Sequence, residues 1–424
     1  MDKLLNVVYD NWVDGEARPN FENTVGPNRF RTVFGFFMFY DILDKVKECR
    51  LDDVYEKPDE NFYYFINSIN DIEHLIEDRG GVIPFPDKVL ECFEACPNFN
   101  LVFLIEHEYE SENCYLVMRD LADKNGWDAA KIYMVNNNSK MNDYKIRHAS
   151  SLNVFSLDFL VKINAKNLSE HPSQFIADKE NFSMSHNRSC KAHRFGLLCK
   201  LKREGLLDNI DWSLIMGWER KQQNEIYGLD TSFYMNIFDK EEVGDYLPEI
   251  TYFDTLGMKK SKYEETHTWF DDINNHVGID WASTFELKTY ENSYVNITTE
   301  SCYFAKEIHI TDKSVKPLYF YQIPIFVASY QHVKMIRERF KLDVFDDIID
   351  HSYDEIADNK IRFRKIFEEI KRVHKNKEQI IKFYKNNRER FEENRRKILE
   401  LKHSNIDVNF FLSLINKKNI KKII

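Results

Sequence analysis

Between Glu300 and Lys313 the chain gathers carboxylates, hydroxyls and lysines, of which the hydroxyls and the amines are the kinds that hold phosphate. The surrounding run, Tyr294 to Ser329, reads YVNITTESCYFAKEIHITDKSVKPLYFYQIPIFVAS. Val295 and Ile297 alternate with polar residues, the period of two expected of a strand, and Glu300 and Ser301 end it. Thr311, Asp312 and Lys313 fall where a helix should begin, and Lys316-Pro317 through Tyr321 continues it. Ile323 to Ala328 is a nearly continuous apolar run, as in a parallel strand buried on both faces. A lysine and hydroxyls at a helix N-terminus, set at the carboxyl edge of a parallel sheet, favour a bound phosphate. Unpaired backbone N–H donors and the helix dipole both point there.

The rest of the chain must position these groups. At 424 residues two domains plus a tail are expected. Aromatic residues are plentiful, with 22 Tyr, 33 Phe and 6 Trp, so there is ample material for packed cores. Only 13 glycines are present, and neither G-x-G-x-x-G nor G-x-x-x-x-G-K-[ST] occurs. A nucleotide must therefore be held by side chains and helix ends. Of the seven cysteines (49, 92, 96, 114, 190, 199 and 302), only Cys92 and Cys96 are close, without the second pair of a zinc site. Free thiols in a reducing compartment are expected. The N-terminus MDKLLNVVYDNWVDGEARP lacks the basic start and apolar core of a signal peptide, and no run approaches membrane-spanning length. The expectation is a soluble protein in the cytoplasm of a bacterial cell or a virus-infected host.

The net charge of −11 hides an asymmetry. Residues 359–424 carry 20 Lys+Arg against 8 Asp+Glu, a net of +12, leaving about −23 on the remainder. An acidic body disfavours wrapping around duplex nucleic acid. The basic tail has three open readings: a solvated helical face packed back across both domains, a peripheral membrane contact through 359–403 that uses Ile380, Ile381, Phe383 and Tyr384, or a contact with nucleic acid.

Residues 1–95 mix aromatic clusters with acidic helical-looking segments, expected to be a helical and aromatic region packed on the first domain. Within a first domain at 96–165, strands are expected at Asn98–Ile105, Lys131–Val135 and Asn153–Leu157, with a helix at Cys114–Asn125. Leu168 to Lys179 reads as a linker. A second domain, 180–345, opens with a strand at Phe182–Ser185, a polar turn, and an amphipathic helix from Lys191 to Leu206 ending at Gly205. Residues 208–290 show weak periodicity, and basic helices follow in 346–424.

Two segments of the second domain resemble a known family. NRSCKAHRFGLLCKLKREGLLD, beginning at Asn187 and Arg188, resembles the N-R-x-x-x-x-H-R…L…GL motif of glycosyltransferase-like proteins common in phages and bacteria. TTESCYFAKEIHITDKSVKPLYFYQIPIF resembles their T-E-x…I-T-E-K-x-x-K-P-…-P-F motif, a looser relative of the α-1,3-fucosyltransferase signature. The likeness covers 182–208 and 290–373 and faintly 99–158, but neither 1–95 nor 209–285. It implies two Rossmann-like domains of GT-B type and a metal-independent, inverting transferase with a nucleotide sugar, UDP- or GDP-linked, as donor. The acceptor hydroxyl would sit on a glycan, lipid, protein or modified nucleobase. Carried over by position, Lys313 and Arg194 would neutralise the donor diphosphate and Thr311 and Ser301 would hydrogen-bond it. Glu300 and Asp312 would take hydroxyls of the ribose or sugar. Asn187, Arg188 and His193 belong to the same motif. The family's T-E-K is T-D-K here, one methylene shorter at Asp312, and its Tyr two positions before the Thr aligns with His309.

The chemistry asks for the same residue types. Glycosyl transfer passes through an oxocarbenium-like state while a diphosphate leaves with added negative charge. Two cations on that leaving group act where charge develops. No Asp-x-Asp occurs, so side-chain cations fit the sequence better than a manganese site of GT-A type. A general base must face the acceptor hydroxyl. Glu106 and Glu108, at the end of the strand that starts the first domain, alternate and so can share a face; His107 is the other choice there. Each of these side chains has an ordinary alternative: a solvated loop for Glu106 and Glu108, a turn cap for Glu300, a surface charge for Lys313 and Arg194. A competing reading of the whole chain is a non-catalytic, transferase-like binding or structural protein, such as one of a virion.

Overall fold

A computed structural model describes residues 5–8, 46–68, 87–105, 118–120, 122–136, 153–156, 168–169, 173–187, 191–215, 237–256, 258–259, 287–304, 308 and 310–401. The chain is an α/β protein with two mostly parallel sheets, in two compact units.

The first sheet has six strands: β1 (Leu5–Val8), β2 (Val46–Cys49), β3 (Phe62–Ser68), β4 (Phe99–Ile105), β5 (Ile132–Asn136) and β6 (Asn153–Ser156). All are parallel, in the order β2-β1-β3-β4-β5-β6. Helices α1 (Leu51–Glu56) and α2 (Asp87–Ala95) help cover a core that includes Val54, Phe62, Phe93, Phe99 and Ile132. The three later strands lie where the sequence predicts them. The described residues of 1–95, expected to be helical and aromatic, supply three of its strands as well as α1 and α2. The reason is physical: β1 and β2 are four residues each, too short to express a period, and β1 is buried along its whole length.

The second sheet runs β11-β10-β7-β8-β9, from β7 (Asn181–Asn187), β8 (Ile210–Ile215), β9 (Met258–Lys259), β10 (Ser293–Thr299) and β11 (Ile323–Val327); only β9 is antiparallel. After β7 the chain steps to β8 on one side, while β10 returns on the other, so the winding reverses between β7 and β10. Such a reversal leaves a crevice at the carboxyl ends of the two strands.

Helix α3 (Ala192–Arg203) follows β7. Its residues Ala192 to Leu201 are all buried, so it is a core helix and not the amphipathic one expected. Gly205 stops it as predicted, at φ +66°, with Leu206 N–H donating to the Leu201 carbonyl and Gly205 N–H to that of Lys202. This is the paired bond pattern of a Schellman cap. Helices α4 (Lys240–Asp245), α5 (Leu247–Leu256) and α6 (Leu287–Glu291) precede β10; α7 (Asp312–Tyr319) joins β10 to β11, and α8 (His332–Arg339) follows β11.

The basic helices α9 (Asn359–Lys375), α10 (Lys377–Asn386) and α11 (Arg388–Leu401) belong to this same unit rather than to a separate tail. Ile380 and Tyr384 are fully buried in its core and Ile381 and Phe383 pack against it. These are the apolar residues a membrane contact would need, and they face inward. The expected linker is also packed: Leu168 is buried, Phe175 stacks on Tyr384 at 4.8 Å, and Lys179 donates to the carbonyls of Ser293 and Tyr321.

Arg362 of α9 fixes these helices to the sheet. Only 1 % exposed, it donates to the carbonyls of Ala328, Ile356, Ala357 and Tyr303 and to the Asn359 side chain, while lying over the Tyr303 ring. Replacement by Met would strand several buried acceptors. Arg362→Met is expected to destabilise the second unit by about 3 kcal/mol or more in urea unfolding; a change below about 1 kcal/mol would show that the carbonyls find other donors.

Candidate functional site at the strand-order reversal

The crevice between β7 and β10 is built from strand ends and helix starts. Asn187 ends β7 and Thr299 ends β10, and the Thr299 hydroxyl donates to Asn187 Oδ1 at 2.7 Å. The amide of Asn187 turns back to Ser185, donating to its carbonyl and hydroxyl oxygens. Asn187 thus holds the two switch strands in register.

Glu300 follows immediately and is 0 % exposed. Its Oε2 accepts from the Thr311 hydroxyl at 2.7 Å and from Ser301 N–H at 3.0 Å. Its Oε1 accepts from Thr311 N–H at 3.3 Å and from the Ser314 hydroxyl. Thr311 is the N-cap of α7, its hydroxyl accepting from Lys313 N–H at 3.3 Å. One carboxylate therefore clamps the first turn of α7 to the end of β10. The Ser314 hydroxyl has a single proton and gives it to Glu300, so the 2.8 Å contact with His332 is donated by Nε2–H of the imidazole. That assigns the tautomer, and Nδ1 of His332 is left buried without a hydrogen bond. His332 opens α8, whose N-cap Gln331 sits in the left-handed region at φ 63°. Asp354 supplies the missing cap, accepting from Val333 and Lys334 N–H, each at 2.9 Å.

On the other side of the crevice, the first turn of α3 reaches the same strand end. His193 Nε2–H donates to the Glu300 carbonyl at 2.7 Å and its ring stacks on Tyr303 at 5.3 Å. Arg194, 2 % exposed, donates to the carbonyls of Thr299 and Glu300. Lys191 Nζ donates to the Ser301 carbonyl at 2.9 Å. Lys313 is half-buried, and its Nζ lies 3.4 Å from the Thr311 hydroxyl.

The structure thus brings Asn187, His193, Arg194, Glu300, Ser301, Thr311 and Lys313 together around one strand end. It also changes what several of them do. Glu300 spends its oxygens on its own chain and presents none to a sugar hydroxyl. Arg194 places its charge beneath the 299–301 segment, where it supports the backbone. Glu106, His107, Glu108, Arg188 and His309, and the side chain of Asp312, lie outside the described residues. Lys191, Ser314, His332 and Asp354 escaped the sequence reading. Ser314 stands three residues after the capping Thr311 and Lys191 two residues before His193, so both lay beside residues already singled out; His332 and Asp354 arrive from distant segments. Among the described residues no group of three or more His, Cys, Asp or Glu side chains is placed to hold a metal ion. No protein-family model matches the chain, and no match was found among curated proteins.

Burial holds the His193 and His332 imidazoles below their usual range of about 6.5, with the Arg194 charge adding to the effect at His193. Both stay neutral in the fold while their unfolded counterparts protonate below that pH. The unfolded state then binds more protons, so stability is complete above about pH 6.5 and falls as the pH drops beneath it, by about 1.4 kcal/mol per pH unit for each such histidine. Urea unfolding from pH 7 to pH 5 is expected to show this slope, and His332→Gln to reduce it. An unchanged slope in His332→Gln would contradict the assignment. Glu300→Ala, which strands Thr311 and Ser314, is expected to cost about 3 kcal/mol and Glu300→Gln less, read by the same unfolding experiment.

Proposed function

We propose that the chain is a glycosyltransferase that moves a sugar from a nucleotide-diphosphate donor, UDP- or GDP-linked, to a hydroxyl acceptor. The single observation that carries this reading is the meeting of two helix starts, those of α3 and α7, at the strand-order reversal of the second sheet, with Lys313 at the second of them. In this reading the donor diphosphate takes the first-turn end of α7, with Lys313 and Lys191 as neighbouring cations and Arg194 as a buried charge behind the 299–301 backbone. The acceptor oxygen attacks the anomeric carbon, the bond from that carbon to the diphosphate oxygen breaks, and the nucleoside diphosphate leaves with the bonding electrons. The acceptor proton passes to a base, for which Glu106 and Glu108 are the candidates. The reading assigns a GT-B plan to the chain, with the second unit for the donor. It makes the reaction metal-independent and inverting, and places the protein in the cytoplasm.

A non-catalytic transferase-like binding or structural protein is the second reading. It is favoured by the internal use of Glu300 and Arg194, since groups consumed by the fold are not available to substrate. Product formation separates the two.

Lys313→Ala is expected to weaken binding of UDP- or GDP-sugars about tenfold or more, as loss of a charge-assisted contact should, with the fold retained. Calorimetry against both donors measures it. Equal affinity in Lys313→Ala and the parent chain would sink the donor-site reading; tight donor binding without hydrolysis or transfer to any acceptor would favour the non-catalytic one.

A further inference from the structure

His186 is the next-to-last residue of β7, one of the two strands between which the winding reverses. Alternation sends its side chain to the sheet face opposite that of Asn187. Met184, two residues earlier, pairs with Asn296 of β10. His186 therefore shares its face with Thr298 and with Glu300, whose N–H continues the ladder to the Val327 carbonyl. On that face Glu300 clamps the first turn of α7. Tyr290 of α6 agrees, its ring 6.5 Å from that of His186 and 5.3 Å from Phe320, the residue that ends α7. The imidazole thus stands one strand to the side of the strand end that carries the α7 start.

Asp211 of β8 lies behind the ring, its side chain 3 % exposed and its Oδ2 3.5 Å from His186 Nε2. That separation is too long for a hydrogen bond, and Nε2 is buried without one. As a structural contact the pair would cost stability, and it is not needed to join β7 to β8, which are already paired at five positions. An imidazolium changes the balance, because its Nε2–H has a carboxylate to meet, and catalytic hydrogen bonds commonly tighten only once substrate is bound. The second N–H is then available on the other side of the ring. His186 keeps 18 % of its side chain exposed, whereas His193 and His332 are closed off.

We propose, resting on the transferase reading, that His186 is a catalytic acid for the departing diphosphate and that Asp211 positions it. As the bond from the anomeric carbon to the diphosphate oxygen breaks, that oxygen keeps the electron pair and takes the proton from Nδ1 of the imidazolium. Water reprotonates the neutral ring after the nucleoside diphosphate leaves. Asp211 holds Nε2–H and so fixes which nitrogen faces the donor. The acceptor proton goes to a separate base, for which Glu106 and Glu108 remain the candidates.

The test measures release of nucleoside diphosphate from UDP-glucose and GDP-mannose by the full-length chain across pH, with water as acceptor. His186→Gln is expected to lower kcat about a hundredfold, with KM within about threefold of the parent. An acid must be protonated to act, so the parent should lose activity on the alkaline side and His186→Gln should lack that limb. Asp211→Asn is expected to lower kcat about tenfold at unchanged KM, a split that a structural role would not give. Thermal unfolding midpoints check that the variants fold, with His186→Asn as the substitute if His186→Gln does not. Calorimetry with UDP and GDP separates two kinds of failure. If the parent binds nucleotide and His186→Gln keeps both its kcat and its alkaline limb, the role of His186 is overturned and the transferase reading stands. Nucleotide binding without release from either donor overturns the role together with the catalytic reading. No nucleotide binding by the parent sinks the transferase reading itself, and the role of His186 with it.

Discussion

The second unit turns on one buried carboxylate. Glu300 stands where β10 ends, and the four hydrogen bonds it accepts determine where α7 begins. Through Ser314 and His332 the same oxygen pair also reaches the start of α8. A charge removed from water is tolerated only when its lone pairs are filled, and here three of the four donors that fill them come from the N-cap and first turn of a helix. Satisfying Glu300 and positioning the α7 start are therefore the same act. Arg194 and His193 complete the arrangement from α3 by holding the backbone carbonyl of the same residue. The crevice is consequently stiff: three helix starts are referred to one strand end.

The charge asymmetry of the chain has a matching internal logic. Basic residues of the C-terminal helices meet acids of the preceding body, as Arg390 does with Asp343 and Asp347, and Lys360 and Arg364 with Asp239. Individually such exposed pairs contribute little, about 0–1 kcal/mol. Their consequence is orientation, since the apolar faces of α9, α10 and α11 close the core while the charges settle on the acidic surface beside them. Of the three readings the sequence leaves open, the described part of the tail, up to Leu401, fits the packed helical face: it covers its own unit's core and sets its charges against neighbouring acids.

Much of the second sheet was legible in the sequence because its signals are local. The strand at Val295 and Ile297, the helix start at Thr311 and the strand from Ile323 follow from period, cap and apolar run, and β10, α7 and β11 fall there. The first-domain strands β4, β5 and β6 are legible for the same reason. The strands β1 and β2 were not, since four residues are too few to set a period; β3, as long as β4, was missed without so simple a reason. The role of Glu300 was legible in part: the family resemblance implied a contact with a sugar or ribose hydroxyl and the local pattern a turn cap, and the fold adds Ser314 and His332, which only the folded chain brings near it. The contact of Arg194 with the Thr299 and Glu300 carbonyls was not legible either, because a guanidinium beside a phosphate site and one beneath it look alike in one dimension. His332 and Asp354 carry no sequence signal at all, as each acts on a segment distant in the chain.

The proposed reaction rests on this rigid edge binding the diphosphate of an activated sugar. Amide hydrogen exchange in the presence and absence of UDP and GDP examines that claim directly, because it reports where on the backbone a ligand sits. The account predicts added protection confined to the ends of β7 and β10 and the first turns of α3 and α7, with one of the two nucleotides. Saturating nucleotide that leaves those amides unchanged, or protects only amides elsewhere, would contradict it.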